Sequence, residues 1–171
     1  MKAVFPRLLI VFGIIAAVAF GWSFFTRDDV ETRINQRLNQ AIALVEIDGD
    51  ESPFLIIGQS RELTGFLSSE PRINIGRPLP EMTDSNEMTA MIAQARQTLS
   101  ALSVRVVSRS IEVAGDQQSA VMELTADATF TMAGEQARER RSFRLEWVLE
   151  ENEWVIAVVE LTEIDSASGL F

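Results

Sequence analysis

SAVMELTADATFTMAGEQ, residues 119–136, runs into ARERRSFRLEWVLEENEWVIAVVEL, residues 137–161, and the reading of these lines decides the fold. From Ala120 the chain alternates. Ala120, Met122, Leu124, Ala126, Ala128, Phe130 and Met132 fall on one face, and Val121, Glu123, Thr125, Asp127, Thr129 and Thr131 on the other. A period of two is that of a strand with one buried face. The next run places Phe143, Leu145, Trp147 and Leu149 on one side and Arg140, Ser142, Arg144 and Glu146 on the other. Between them, Gly134-Glu135 suits a type II′ hairpin, which asks for glycine at the first turn position. That closure sets Met122 opposite Trp147, Leu124 opposite Leu145 and Ala126 opposite Phe143. A slip of one residue would oppose them to Glu146 and Arg144, so the pattern pins the faces. A second turn at Glu151-Asn152 sets Trp147 opposite Ile156 and Leu145 opposite Val158.

Working outward, the C-terminal neighbour is short. Residues 164–171 read as a tail beyond the last strand. Upstream, Val104 to Val113 reads as another strand, with Val106 and Val107 breaking the alternation as a bulge does, and Gly115-Asp116 turns it into the central hairpin. Before it, Asp84 and Glu87 form a capping box, and Met88, Met91, Ile92, Ala95, Leu99 and Leu102 follow along one helical face. Arg72 to Ile75 reads as a short strand bracketed by Pro71, Gly76, Pro78 and Pro80, and Ser60 to Leu67 as a short helix. Val30, Ile34, Leu38, Ala41, Ile42 and Val45 recur at helical spacing, predicting an amphipathic helix from Asp28 to about Ile47. Asp48, Asp50 and Ser52 imitate the start of a calcium loop, but Pro53 and Gln59 stand where glycine and glutamate are needed, so the stretch reads as a solvated turn.

The first 27 residues differ in kind. After Lys2 and Arg7, the eighteen residues Leu8 to Phe25 carry no charge. At about 1.5 Å per residue they reach roughly 27 Å, near the thickness of a bilayer's hydrocarbon core. Ala17-Val18-Ala19 would suit signal-peptide cleavage, while Phe20, Trp22, Phe24 and Phe25 prolong the apolar run as an uncleaved anchor would. Lys2 and Arg7 before the span, against Asp28, Asp29 and Glu31 after it, leave the N-terminus in the cytoplasm and export the domain. The division is therefore an anchor over 1–27, a domain over 28–163 and the tail over 164–171.

Composition excludes several chemistries. The 171-residue chain has no cysteine, histidine or tyrosine, which removes thiolate chemistry, the commonest general base at neutral pH and the commonest metal ligand. No cofactor is expected. Beyond residue 27 there remain 25 acidic and 12 basic side chains, a formal charge of −13, which disfavours nucleic acid.

Arg72-Ile73-Asn74-Ile75, Ile111-Glu112-Val113 before Gly115-Asp116, Phe143-Arg144-Leu145-Glu146-Trp147 and Glu153-Trp154-Val155-Ile156 with Val158 and Leu161, in an element order of helix, short helix, short strand, helix and four antiparallel strands, resemble the NTF2-like (cystatin-like α+β) superfamily. The resemblance covers about residues 28 to 163. It implies an α+β fold with helices packed in the concave face of a curved antiparallel sheet, and a cone lined by Met122, Leu124, Leu145, Trp147 and Ile156. Enzymatic members include isomerases, cyclases and dehydratases, whereas single-span members with an exported domain act as scaffolds of secretion systems. The His or paired Asp and Tyr groups of the enzymes have no counterpart here.

Two candidate surfaces follow. Glu160, set opposite Phe143 on the core face, is the candidate catalytic base, since desolvation would raise its pKa; Arg105 or Arg109 could equally pair with it. On the outer face Val148, Val155, Ala157, Val159 and Leu161 form an apolar stripe, expected to meet either the chain itself or a second copy in a dimer. Asp127 reads as part of a charge ladder on that face. The reading is a membrane-anchored, exported, non-catalytic interaction module; the alternative is a membrane-tethered small-molecule binder or lyase/isomerase-type enzyme using Glu160.

Overall fold

The computed structural model describes residues 29–76 and 80–165, the side chains of 163–165 excepted. The elements run α1 (29–45), β1 (Ile47–Asp48), α2 (Pro53–Thr64), β2 (Leu67–Asn74), α3 (Ser85–Thr98), β3 (Leu99–Val113), β4 (Ser119–Met132), β5 (Glu135–Glu150) and β6 (Glu153–Asp165). They form one six-stranded sheet in the order β1-β3-β4-β5-β6-β2. The run Leu8–Phe25 lies outside the described residues, as does 166–171. Among the described residues no helix is long and apolar enough to cross a membrane.

The sheet is mixed, which corrects the antiparallel expectation. β2 pairs parallel with β6, through Leu67 opposite Ile156 and Arg72 opposite Val158. Five residues of β2 span what two residues of β6 span, and the fully buried Pro71 sits inside this bulge, consistent with proline's restriction to edges and bulges. Two-residue β1 closes the opposite edge. A short strand at one border and a bulged, proline-bearing strand at the other are both ways of blunting a sheet edge.

The central hairpin is shifted by two residues from the sequence reading. Met122 faces Leu145, Leu124 faces Phe143 and Ala120 faces Trp147. The turn is Ala133-Gly134 rather than Gly134-Glu135, and both residues have positive φ, +53° and +84°, the geometry of a type I′ turn. A two-residue slip preserves every side chain's face, so hydrophobic alternation could not distinguish the two closures. The bulge expected near Val106 and Val107 is present between Val106 and Ser108, leaving Val107 unopposed.

The helices follow their local chemistry. Ser52 Oγ accepts the Leu55 amide and Pro53 occupies the first turn, so α2 starts seven residues before the expected Ser60 and ends at Thr64. This Ser-Pro pair, read from sequence as part of a helix-breaking loop, is a helix start: the hydroxyl satisfies an orphan amide and proline has none to satisfy. Asp84 caps α3 as expected, its Oδ1 accepting the Asn86 and Glu87 amides at 2.7 and 3.1 Å. Leu99 and Leu102, expected to continue that helix, begin β3 instead.

Arg96 of α3 ties the helices together. Its Nε donates to Glu51 Oε2 at 2.8 Å, its Nη1 to the Leu44 carbonyl at 2.7 Å, and its Nη2 to Glu51 Oε1 and Gln59 Oε1. A cation here satisfies carbonyls left open at the end of α1. At the other end of the cone, Arg33 Nη2 donates to the Asn152 carbonyl, and Arg37 pairs with Glu153 while its guanidinium lies 4.2 Å from the Phe66 ring centroid. Helix α1 is thereby strapped across the β5–β6 turn.

Candidate functional site

The concave face is filled. Val30, Ile34 and Leu38, one stripe of α1, pack in a single cluster with Ala120, Met122, Leu124, Leu145, Trp147, Trp154 and Ile156. Ile34, Met122 and Trp147 are fully buried. All five residues expected to line a ligand cone are thus brought together, in one cluster with the α1 stripe. Burying the α1 stripe contributes roughly 1.5–3 kcal/mol per large apolar side chain, which is what holds the helix in place. Among the described residues, the buried Trp147 Nε1, Trp154 Nε1 and Asn35 Oδ1 have no hydrogen-bond partner.

Glu160 is not where the sequence reading put it. Ala157 is an extra residue in β6, because Trp147 still pairs with Ile156 while Glu146 pairs with Val158. Past this bulge every side chain changes face. Glu160 therefore stands opposite Arg144 and is exposed, while Val159 pairs with the core residue Leu145. The desolvation that motivated a base at this position is absent. Arg105 pairs with Asp127, and Arg109 Nη1 reaches Asn39 Oδ1 at 3.4 Å, so neither serves as its counter-ion.

The same bulge divides the apolar stripe. Val159 packs on the core, and Leu161 pairs with Phe143 on the core side. Val155, opposite Val148 on the outer face, is 7% exposed within the single chain, as is Val158; Val148 and Ala157 are half-buried. Cover comes from the chain itself at least in part: the Ser69 amide, in the β2 bulge, donates to Glu150 Oε2 at 3.0 Å beside Val155. The large apolar side chains that do stand in solvent are elsewhere: Met132 and Val107 singly on the sheet, and a group on α2. On α2, Phe54 is 89% exposed, with Leu55 and Ile57 about half exposed beside it.

The outer face of β3, β4 and β5 carries the densest electrostatics. Asp127 stands between Arg105 of β3 and Arg140 of β5, with Arg138 diagonal to it. Arg105 Nη2 donates to Asp127 Oδ2 at 2.7 Å; Arg138 Nη2 donates to the same oxygen; Arg140 donates through Nε to Oδ1 at 2.7 Å and through Nη2 to Oδ2 at 3.1 Å. The charge ladder expected for this face is present, with partners displaced by the register shift. The hydrogen bonds from Arg140, Arg105 and Arg138, in that order of effect, hold the Asp127 carboxyl far below the usual carboxylate range. Among the described residues no group of three carboxylates converges as a metal site requires.

Sequence reading overlooked Arg96 and the convergence on Asp127. Arg96 had a signal: it stands four and eight residues from Ile92 and Met88, in the apolar row of α3, where a charge needs a buried partner. The convergence of Arg105 and Arg138 needed the correct register of two strand pairs.

No family model and no curated protein matches the sequence. Solved structures do match the fold. An NTF2-like superfamily protein from Salmonella enterica has a TM-score of 0.62 at 15% identity, covering 84% of this chain and 99% of that one. An NTF2-like protein with a cystatin-like fold from Novosphingobium aromaticivorans scores 0.64 at 10% identity, covering 85% and 88%. A scytalone dehydratase-like protein from the same organism scores 0.63 at 10% identity, covering 77% and 81%. With the curled mixed sheet and the helix in its concave face, these likenesses establish that the chain has the NTF2-like, cystatin-like α+β fold.

Proposed function

We propose that this protein is a non-catalytic NTF2-like module, tethered to the cell membrane by Leu8–Phe25 with its domain exported, that works through its outer surfaces. The observation that carries the reading is the filled cone. A small-molecule binder or enzyme needs an open, largely pre-formed concave pocket, and here α1 occupies the concave face with Val30, Ile34 and Leu38. The partner is a second copy of the chain, met through the exposed start of α2 rather than through the outer face of β6. Phe54, Leu55 and Ile57 make a small patch, less than the roughly 800 Å² per partner of a standard interface. Two copies held in one membrane plane have a high effective concentration, so a small patch suffices.

The test exploits the absence of cysteine. A Phe54→Cys variant of the full-length chain, oxidised in its native membrane, gives a disulfide-linked dimer, whereas Val148→Cys on the outer sheet face does not. Crosslinking at Val148 alone would overturn the α2 contact, and recovery of the chain in the soluble fraction would overturn the tether.

A second reading is favoured by one observation. The unpartnered indole N–H groups of Trp147 and Trp154 are buried donors, which cost about 1–3 kcal/mol each when left unsatisfied. A small hydrogen-bond acceptor inside the cone would satisfy them, at the expense of displacing part of α1.

A further inference from the structure

The outer face of β3, β4 and β5 forms a grid of three rows near the Ala133-Gly134 turn. Ala101, Thr131 and Gln136 stand in register in the first row; Ser103, Thr129 and Arg138 in the second; Arg105, Asp127 and Arg140 in the third. The first row, together with Ser103 and Thr129, lines a depression of about 510 Å³ whose far rim is Ala43, Glu46, Ile47 and Asp48. None of the arginines lines it: Arg138 stands in the row of Ser103 and Thr129, and Arg105 and Arg140 stand one row beyond. Hydroxyls, an amide and two carboxylates share the lining with Ala43, Ile47, Ala101 and Leu102, so the depression offers polar groups beside apolar surface, as the ring of a sugar does.

Asp127 positions the arginines without consuming them. Arg105 and Arg138 each reach it through one Nη2, and their side chains remain 70% and 59% exposed. A guanidinium offers five N–H donors in a planar fork matched to phosphate geometry. Arg138 stands in register with Thr129 and Ser103, which line the depression, and three guanidinium groups against one carboxylate leave a positive excess at the cluster. The chain's net charge of −10 does not cancel it, since charges beyond a Debye length of about 8 Å are largely screened at physiological ionic strength.

We propose that this face is a binding site for a small phosphorylated, hydroxyl-bearing molecule, a sugar phosphate in chemical class. The phosphate lies between Arg105 and Arg138 above Thr129. The hydroxyl-bearing body lies across Ser103, Thr131 and Gln136, its far hydroxyls donating to Glu46 and Asp48. The site lies on the outer face of the sheet, meets α1 only at its rim and does not involve α2, so it stands or falls independently of the α2 contact.

The experiment is an NMR-detected titration of the full-length chain with glucose 6-phosphate, inorganic phosphate and glucose at fixed ionic strength. Glucose 6-phosphate is expected to shift the amides of Ser103, Thr129 and Gln136 saturably, and to bind at least about tenfold tighter than glucose. An Arg105→Gln/Arg138→Gln double variant, which leaves Arg140 bonded to both Asp127 oxygens, is expected to lose about tenfold or more while retaining its melting temperature within a few degrees. Equal affinity in the double variant, shifts that track ionic strength alone, or equal affinity for inorganic phosphate and glucose 6-phosphate would each overturn the proposal. Thr129→Val, which removes one hydroxyl and leaves every arginine in place, provides a second variant with the same expected direction.

Discussion

Arg96 and Asp127 are each 4% exposed, yet they are built in opposite ways. Arg96 turns inward. Its partners are Glu51, itself nearly buried, Gln59 and the carbonyls at the end of α1, so the whole guanidinium is spent on joining α1, the following loop, α2 and α3. Asp127 is the buried member of its cluster, and its partners are the exposed ones. The first arrangement locks the helices to one another. The second presents oriented guanidinium groups to solvent. A buried charge therefore says little about role until the exposure of its partners is known, and the difference between these two sorts a structural clamp from a candidate recognition surface.

The comparison breaks most readily at Arg96. Arg96→Leu leaves Glu51 and the α1 carbonyls buried without a partner, and the expected loss is about 3–5 kcal/mol in urea unfolding; a loss below about 1 kcal/mol would mean that the clamp is incidental. Next in size is the α1 stripe that the clamp holds in place. Ile34→Ala removes a fully buried side chain and should cost about 2–5 kcal/mol, read from the same unfolding curves.

Asp127 should declare itself through pH. Its folded pKa lies far below the unfolded value of about 4, so below about pH 5 the unfolded chain binds more protons at this group than the folded one. Stability from the group is fully present above pH 5, falls as the pH drops through 4, and is still falling at pH 2. Asp127→Asn should flatten that limb of the stability profile relative to the parent chain. An unchanged slope between pH 5 and 2 would show that the three arginines do not hold the carboxylate as described. The smallest effect is expected at the central turn, where Ala133 adopts φ +53°. Asn tolerates that conformation better and Asn-Gly suits a type I′ turn, so Ala133→Asn should add about 1 kcal/mol.

The legibility of the sequence followed the range of each interaction. Alternation over 120–132 and 143–149 identified the core face correctly, because burial acts residue by residue. It misjudged the central register, because a slip of two leaves the same side chains buried and only the backbone of Ala133 and Gly134 selects between them. The second hairpin was read correctly from Glu150–Glu153 to Trp147–Ile156 and failed at Ala157, where one inserted residue reversed the faces of Val159, Glu160 and Leu161. The lost catalytic candidate and the broken apolar stripe are both consequences of that single bulge. The parallel pairing of β2 had no local signal, since its partner lies more than eighty residues away. Helix α2 had one in Ser52-Pro53, whose capping role was masked by the acidic turn before it.

The central claim is that α1 closes the cone and leaves the protein to act through its surface. Thiol labelling tests it most directly, in a chain that has no natural cysteine. A Met122→Cys variant places one thiol at a fully buried position beneath α1, with Asp116→Cys, exposed in the β3–β4 turn and outside the proposed contact, as the reference. Filled packing predicts that the thiol at position 122 reacts only as fast as the chain unfolds, orders of magnitude more slowly than the one at position 116. Comparable rates at the two positions under native conditions would show an open cone and contradict the account.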